Sequence, residues 1–231
     1  MITDETILRC VGLCAGYGRE IVLRDVNLEI PRSIYLPFVG ANGAGKTTLL
    51  RCILGLVKIQ SGKLETNFHK YPVAYVPQQE SIDPLFPLSV FQIVTAGLYR
   101  KLGWWHLPSE TDKKHVERII ARLNLSEHAD KNYRELSGGT KQKVLVARAL
   151  VSNADVLIMD EPAAELDEES ENEVFNCLRT ENKECGKTVL FSCHESGIEK
   201  FSSEAVCVVN HGKARIMRSE TIENRVKQET I

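Results

Sequence analysis

Two periods of apolar and polar residues follow one another along the chain, and the change between them divides it. Over the first 30 residues the alternation has period two, predicting short strands at 7–10, 21–23 and 26–30 with Gly16-Tyr17-Gly18 as a loop between them. Residues 35–39 are almost wholly apolar, as in a strand covered on both faces, and 47–56 reads as the helix that leaves it. Pro37 is awkward there because it has no N–H to give a ladder. A local irregularity, or a strand starting after it, is expected. Ser61-Gly62-Lys63 reads as a turn, and 73–76 as a strand stopped by Pro77.

From Leu88 to Asn153 the spacing becomes helical. Val90, Ile93, Val94 and Leu98 share one face, and Val116, Ile119, Ile120 and Leu123 repeat the i, i+3, i+4, i+7 stripe. Between them Leu102-Gly103-Trp104-Trp105-His106-Leu107-Pro108 reads as a loop whose tryptophans either pack locally or anchor a partner. Val156-Leu157-Ile158-Met159 is then an apolar strand ending at Asp160-Glu161. A helix follows over 168–183, a strand over 188–192, and a hairpin over 205–209 and 214–217 across His211-Gly212. The polar residues after it read as a terminal helix. The pattern predicts an α/β fold with a mostly parallel sheet and N-terminal antiparallel strands. Residues 1–87 and 154–231 are expected to form the core, and 88–153 an inserted α-helical subdomain.

Chemistry is concentrated where strands meet helices. Gly40-Ala41-Asn42-Gly43-Ala44-Gly45-Lys46-Thr47 has the P-loop spacing: its glycines let several N–H groups face one anion. Lys46 reaches the β- and γ-phosphates, and the Thr47 hydroxyl can ligate Mg²⁺. These eight residues and Thr48 are the candidate nucleotide contacts. Leu136-Ser137-Gly138-Gly139-Thr140 opens a second helix, with Ser137 as N-cap and two glycines that let an anion approach. It cannot easily reach phosphates held by the P-loop of its own chain, which points to a sandwich of two copies. Asp160, at the carboxyl end of an apolar strand, suits a Mg²⁺ ligand; Glu161 suits the group that orients or deprotonates the attacking water.

Charge and composition then exclude classes. Lys and Arg number 29 against 31 Asp and Glu, a formal net charge of −2, so no global basic field is present to hold nucleic acid. No apolar run approaches the roughly 18–20 residues that cross a bilayer, and the acidic N-terminus is unlike a signal peptide. The seven cysteines (10, 14, 52, 177, 185, 193 and 207) include no C-x-x-C pair and read as thiols in a reducing compartment. Cys193 and His194 are adjacent on a strand and so face opposite ways, against a nucleophile pair. The six histidines (69, 106, 115, 128, 194 and 211) contain no close-spaced ligand pair, so the chain is not expected to bind a transition metal itself.

With these residues in this order the chain resembles the ATP-binding subunits of ABC transporters from about Ile7 to Met217. Gly40–Thr47 is similar to Walker A, Gln78 after Val76-Pro77 to the Q-loop glutamine, and Leu136–Gly139 to the signature. Val156–Glu161 is similar to Walker B, Asp167 to the D-loop aspartate, and His194 to the switch histidine. The resemblance implies a P-loop NTPase fold of the ABC type, dimerising head to tail over two ATP molecules with Asp167 at the interface. It implies ATP and Mg²⁺, with Thr47, Gln78 and Asp160 on the metal, Tyr17 stacked on adenine, and Glu161, His194 and Gln78 as the catalytic set. Thr140 stands where the family usually has Gln, and Lys143 where it has Arg; lysine cannot copy a guanidinium fork. Glu165 puts a charge where the D-loop commonly has a small residue. An active ATPase, with altered turnover, is expected.

A second layer of resemblance lies between the Q-loop and the signature. Tyr75-Val76-Pro77-Gln78-Gln79, Asp83-Pro84-Leu85-Phe86-Pro87-Leu88-Ser89-Val90, Gly97-Leu98-Tyr99 and Leu102-Gly103-Trp104 are similar to importers of zinc and manganese. This implies a peripheral subunit on the cytoplasmic face of the cell membrane. Its implied partners are a membrane permease, a second copy of itself and an extracytoplasmic metal-binding protein, with no nucleic acid. The alternatives are an ABC ATPase for a non-metal cargo and a soluble ABC ATPase acting on nucleic acid or ribosomes. The latter lacks its usual second ATP-binding domain, coiled coil or basic stripe here. Glu161 and His194 disfavour a scaffold that binds nucleotide without hydrolysis.

Overall fold

A computed structural model describes residues 2–78, 87–102, 107–193 and 203–218. They divide into two compact units, one drawn from 1–71 and 188–231 and the other from 72–187.

The first unit begins with two long strands, β1 (Thr6–Tyr17) and β2 (Glu20–Pro31), paired antiparallel. The expected break before Val26 is a bulge inside one strand. Ala15 faces Leu23 and Leu13 faces Val26, so β2 carries one extra residue there. Asp25 absorbs it with φ 52°, and the Asn27 side chain braces the bulge by donating to the Asp25 carbonyl at 3.0 Å. The extra residue keeps Leu23, Val26, Leu28 and Ile30 all buried on one face. A third strand, β4 (Ile59–Thr66), pairs with the other edge of β1. The turn expected at Ser61-Gly62-Lys63 is therefore strand, with Gly62 at φ 82° in close approach to the Gly12 carbonyl.

The same unit holds a mixed sheet. Strand β3 (Tyr35–Val39) lies between β7 (Thr188–Cys193) and β8 (Ala205–Asn210), parallel to both, and β9 (Lys213–Arg218) returns antiparallel beside β8. All five residues of β3 are buried, and Pro37 sits in register with Phe191 without irregularity. The Ile34 carbonyl accepts the Val189 N–H at 2.8 Å, so even-numbered backbone groups here face β7. Pro37 lacks its donor on the β8 side, where pairing begins only at Phe38. Helix α1 (Lys46–Ile53) follows β3 across the P-loop.

In the second unit β5 (Val73–Val76) and β6 (Val156–Met159) form a parallel pair. Its helices are α2 (Val90–Thr95), α3 (Tyr99–Leu102), α4 (Glu110–Arg122), α5 (Gly138–Val151) and α6 (Glu168–Cys185). Capping boxes start two of them, Ser89 with Gln92 and Ser109 with Asp112. The α4 stripe Val116, Ile119 and Ile120 is buried, as its spacing predicts, and α5 is buried almost all round. The described cysteines are free thiols and five are buried; burial pushes the Cys10 thiol up to about 12. The tryptophan loop 103–106 and the polar end after 218 lie outside the described residues.

Gly97 gives part of the 75–108 sequence pattern a packing reason. A Cβ there would fall 2.1 Å from the Arg148 carbonyl oxygen on α5. Gly97→Ala is expected to push these elements apart and lower unfolding free energy by about 1–3 kcal/mol, read from urea denaturation. Stability equal to the parent would show that the approach is not required.

Candidate functional site

The P-loop leaves β3 through Gly40, at φ 156°, where a Cβ would meet the Val209 carbonyl oxygen at 2.1 Å. Gly43 and Gly45 follow at φ 77° and 107°, conformations that other residues enter only under strain. Ala41, Asn42 and Gly43 are exposed, whereas Ala44, Gly45 and Thr48 are buried and Thr47 is half-buried. Lys46 arcs back over the loop, donating from Nζ to the carbonyls of Gly40 at 2.6 Å and Ala41 at 3.2 Å. Among the described residues no carboxylate pairs with this buried ammonium. Its charge is therefore held by neutral dipoles and suits an anion at the loop. Tyr17 stands at the tip of the β1–β2 hairpin, paired with Glu20, and is 48% exposed.

The carboxylates belong to the second unit. Asp160 directly follows β6, its N–H still bonded to the Val76 carbonyl at 2.8 Å, and it is 0% exposed. Glu161 leaves the ladder with φ 50°. Its carbonyl accepts from the Ala164 N–H at 3.1 Å and from Gln142 Nε2 at 3.4 Å. Gln78, just after β5, donates from Nε2 to Glu161 Oε2 at 2.8 Å. Two residues singled out 83 positions apart are thus in direct contact.

A third group surrounds the start of α5. Ser137 caps it: its Oγ accepts the Thr140 N–H at 3.2 Å and lies 2.8 Å from Thr140 Oγ1. Ser137, Gly138, Gly139, Thr140, Lys143 and Asp167 all line one cavity of about 430 Å³. Lys143 binds Glu173 on α6 at 2.7 Å, with both side chains largely buried. Glu173 also accepts from Asn124. Asp167 caps α6, accepting the Ser170 N–H at 2.8 Å. That bond is the main reason its carboxyl titrates below the ordinary value of 3.8, with Lys143 a smaller cause. His194 lies outside the described residues, as do Asp83 to Phe86 of the 75–108 pattern.

Sequence reasoning missed Gln142, Glu173 and Asn124. Each is an ordinary polar residue on a helix or loop, and its partner is distant in the chain. The one available signal was Gln142 itself, a polar residue just ahead of the mostly apolar stretch 144–151 of α5.

The family described as ABC transporter matches residues 23–164. Over 188 residues the chain is 38% identical to the zinc transport system ATP-binding protein TroB of Treponema pallidum, spanning 79% of this chain and 70% of that protein. It is 37% identical over 185 residues to the manganese transport system ATP-binding protein MntB of Bacillus subtilis, spanning 78% and 74%. Its fold is similar to a dimeric, post-hydrolysis structure of the ATP-binding cassette MJ0796 bound to ADP and Pi. That match has a TM-score of 0.79 and 25% identity over 92% of this chain and 99% of that one.

Two outcomes test this geometry. Lys143→Met strands the Glu173 carboxylate, and since Asn124 remains beside it the loss is expected toward the lower end of about 3–5 kcal/mol in urea denaturation. A neutral result would show that the pair contributes nothing to holding α5 on α6. Asp167 has a folded pKa below its unfolded one, so its contribution is complete above the unfolded value and is lost as pH falls through the lowered one. Asp167→Asn keeps the cap but does not titrate, so the fall in stability below about pH 4 should be shallower. An unchanged acid limb would contradict the assignment.

Proposed function

The chain belongs to the ABC transporter family as an ATP-hydrolysing subunit, and from that premise we propose that it powers import of zinc or manganese through a separate membrane permease. The observation that carries the cargo is the pair of relatives at 37–38% identity, named for manganese and zinc transport systems. The 75–108 pattern, read from sequence alone, supports the same group. No described helix is long and apolar enough to cross a membrane, so the transport path is assigned to a partner.

In this reading the loop from Gly40 to Thr48 holds the triphosphate. Its N–H groups face the phosphates, and Lys46 exchanges its two carbonyl partners for phosphate oxygens. Tyr17 stacks on adenine. The Thr47 hydroxyl, the Gln78 amide oxygen and the buried Asp160 carboxylate are all hard oxygen donors, which is the donor set Mg²⁺ takes. When bound, Mg²⁺ supplies charge neutralisation on the β- and γ-oxygens. Glu161 takes the proton of the attacking water on its carboxylate, and Gln78 fixes that carboxylate by one oxygen. His194 is the third proposed member of the catalytic set, on the strength of the resemblance alone.

Ser137, Gly138 and Gly139 act across the interface of a head-to-tail dimer, closing over the nucleotide of the second copy, with Asp167 beside them. ATP binding then becomes a closing force, passed to the permease on the cytoplasmic side of the membrane. An extracytoplasmic metal-binding protein delivers the cargo, and no nucleic acid takes part.

The test uses cells carrying the native permease with either the parent chain or Glu161→Gln, following zinc and manganese uptake in parallel. Uptake of one metal should disappear in the variant. Its purified complex should bind ATP as the parent does while kcat falls by roughly 10²–10⁴. Undiminished metal uptake in the variant, with ATP hydrolysis intact in the parent complex, would remove the metal assignment and leave the ATPase.

A further inference from the structure

Glu161 is a glutamate whose backbone lies in the left-handed region, at φ 50°. A residue with a β-carbon enters that region under strain and stays there only when its surroundings hold it. Its preceding neighbour, Asp160, is tied to β5 through the Val76 carbonyl, and the following turn closes through the Ala164 N–H. Gln78 holds the tip of the side chain. A further tie comes from a different element: Gln142, on α5, donates its amide to the Glu161 carbonyl at 3.4 Å.

Gln142 is 3% exposed, and the residues after Lys143 on its helix are mostly apolar. Packing alone would be served as well by leucine or methionine there, and a buried amide is retained at a cost unless it is bonded. Its position along the helix adds a second observation. Gly139, Gln142 and Lys143 stand at i, i+3 and i+4 and so share one face. Each makes a contact with the segment 161–173. Gly139 leaves no room for a β-carbon against the Glu165 carbonyl at 2.9 Å, Gln142 reaches Glu161, and Lys143 binds Glu173. One face of α5 is thus fastened along the whole stretch that runs from the carboxylate into α6.

We propose that Gln142 is a positioning residue for ATP hydrolysis, its amide tying α5 to the backbone of Glu161. The inference rests on the function proposed above. The end of α5 that bears Ser137 closes on the nucleotide of the second copy, while Gln142, five residues on, sets the carboxylate that acts on the nucleotide of its own chain. A shift of the helix at one half-site is therefore felt as a shift of Glu161 at the other.

The test compares the parent chain and Gln142→Met in the purified complex with the permease. Methionine keeps the length and unbranched shape and removes the donor. The complex should still fold and its KM for ATP should stay that of the parent, while kcat falls roughly ten- to hundred-fold, as expected for a slight misplacement of a reacting group. In a Glu161→Gln background the same substitution should bring no further loss, because it acts through that carboxylate. A parent-like kcat overturns the proposal. So does a rise in KM that accounts for the loss, or a full additional loss in the Glu161→Gln background. Should Gln142→Met fail to fold, Gln142→Asn decides: it keeps the amide but shortens it by a methylene, and is expected to lose rate at unchanged KM. If the parent complex itself hydrolyses no ATP, the proposed function falls before any variant is compared.

Discussion

Short strands buried along their whole length, Tyr35–Val39 in one unit and Val156–Met159 in the other, must hand their backbone to polar loops at their carboxyl ends. How each handover is made decides which chemical groups are presented. After β3 the chain turns on glycines, whose positive φ values carry little strain, a backbone geometry that suits an anion-binding loop. After β6 the ladder continues through the Asp160 N–H, and the first residue off it is Glu161, also at positive φ. A glycine at 161 would relieve the strain and present nothing. The glutamate projects a carboxylate instead, and the hydrogen bonds from Gln78, Ala164 and Gln142 offset the strain it carries. The same constraint, solved with two residue types, yields a glycine turn in one unit and a projecting carboxylate in the other, which the proposed function uses as an anion cradle and an acid–base group.

Helix α5 is the second unit's organising element. Its burial is too complete for an amphipathic surface helix, and its three contacts at Gly139, Gln142 and Lys143 are all with the segment 161–173. Lysine in place of arginine at 143 gives up bidentate geometry, yet here it meets one carboxylate oxygen at 2.7 Å in a largely buried setting. A point charge is enough for that pairing. The substitution thus changes how α5 is fastened to α6 without removing the fastening.

Much of this was legible in the chain. The P-loop, the apolar strand ending in Asp160-Glu161 and the stripe of α4 depend on short-range spacing, and spacing is what a sequence displays. The β2 bulge was not: Asp25 interrupts the period-two pattern, and the interruption reads as a strand end until β1 is seen to supply partners on both sides of it. Pro37 was misjudged for a related reason. Whether proline harms a strand depends on which neighbour its missing donor faces and where that neighbour's pairing begins. The ties from Gln142 to Glu161 and from Lys143 to Glu173 span 19 and 30 positions, and beyond the polar Gln142 on a mostly apolar helix nothing local marks their partners. Glu161 was singled out by its place after an apolar strand and Gln78 by resemblance; their contact is a property of the β5–β6 register, which lays Val76 beside Met159.

Thr140 bears on the action of the signature end itself. Ser137 Oγ accepts the Thr140 N–H and shares a second hydrogen bond with Thr140 Oγ1, in which either hydroxyl can be the donor. The two directions are not equivalent toward an anion. If Ser137 donates, its only proton is spent on Thr140. If Thr140 donates, Ser137 accepts twice and keeps its proton for a phosphate oxygen, and a hydroxyl that accepts is polarised into a better donor. In the proposed dimer, arrival of a phosphate would select the second arrangement by rotating two hydroxyls. A glutamine at this position, with a longer side chain and no hydroxyl, could not make that exchange at the same place. In the proposed dimer, threonine gives up direct reach toward the partner's nucleotide and turns the neighbouring serine into the stronger donor.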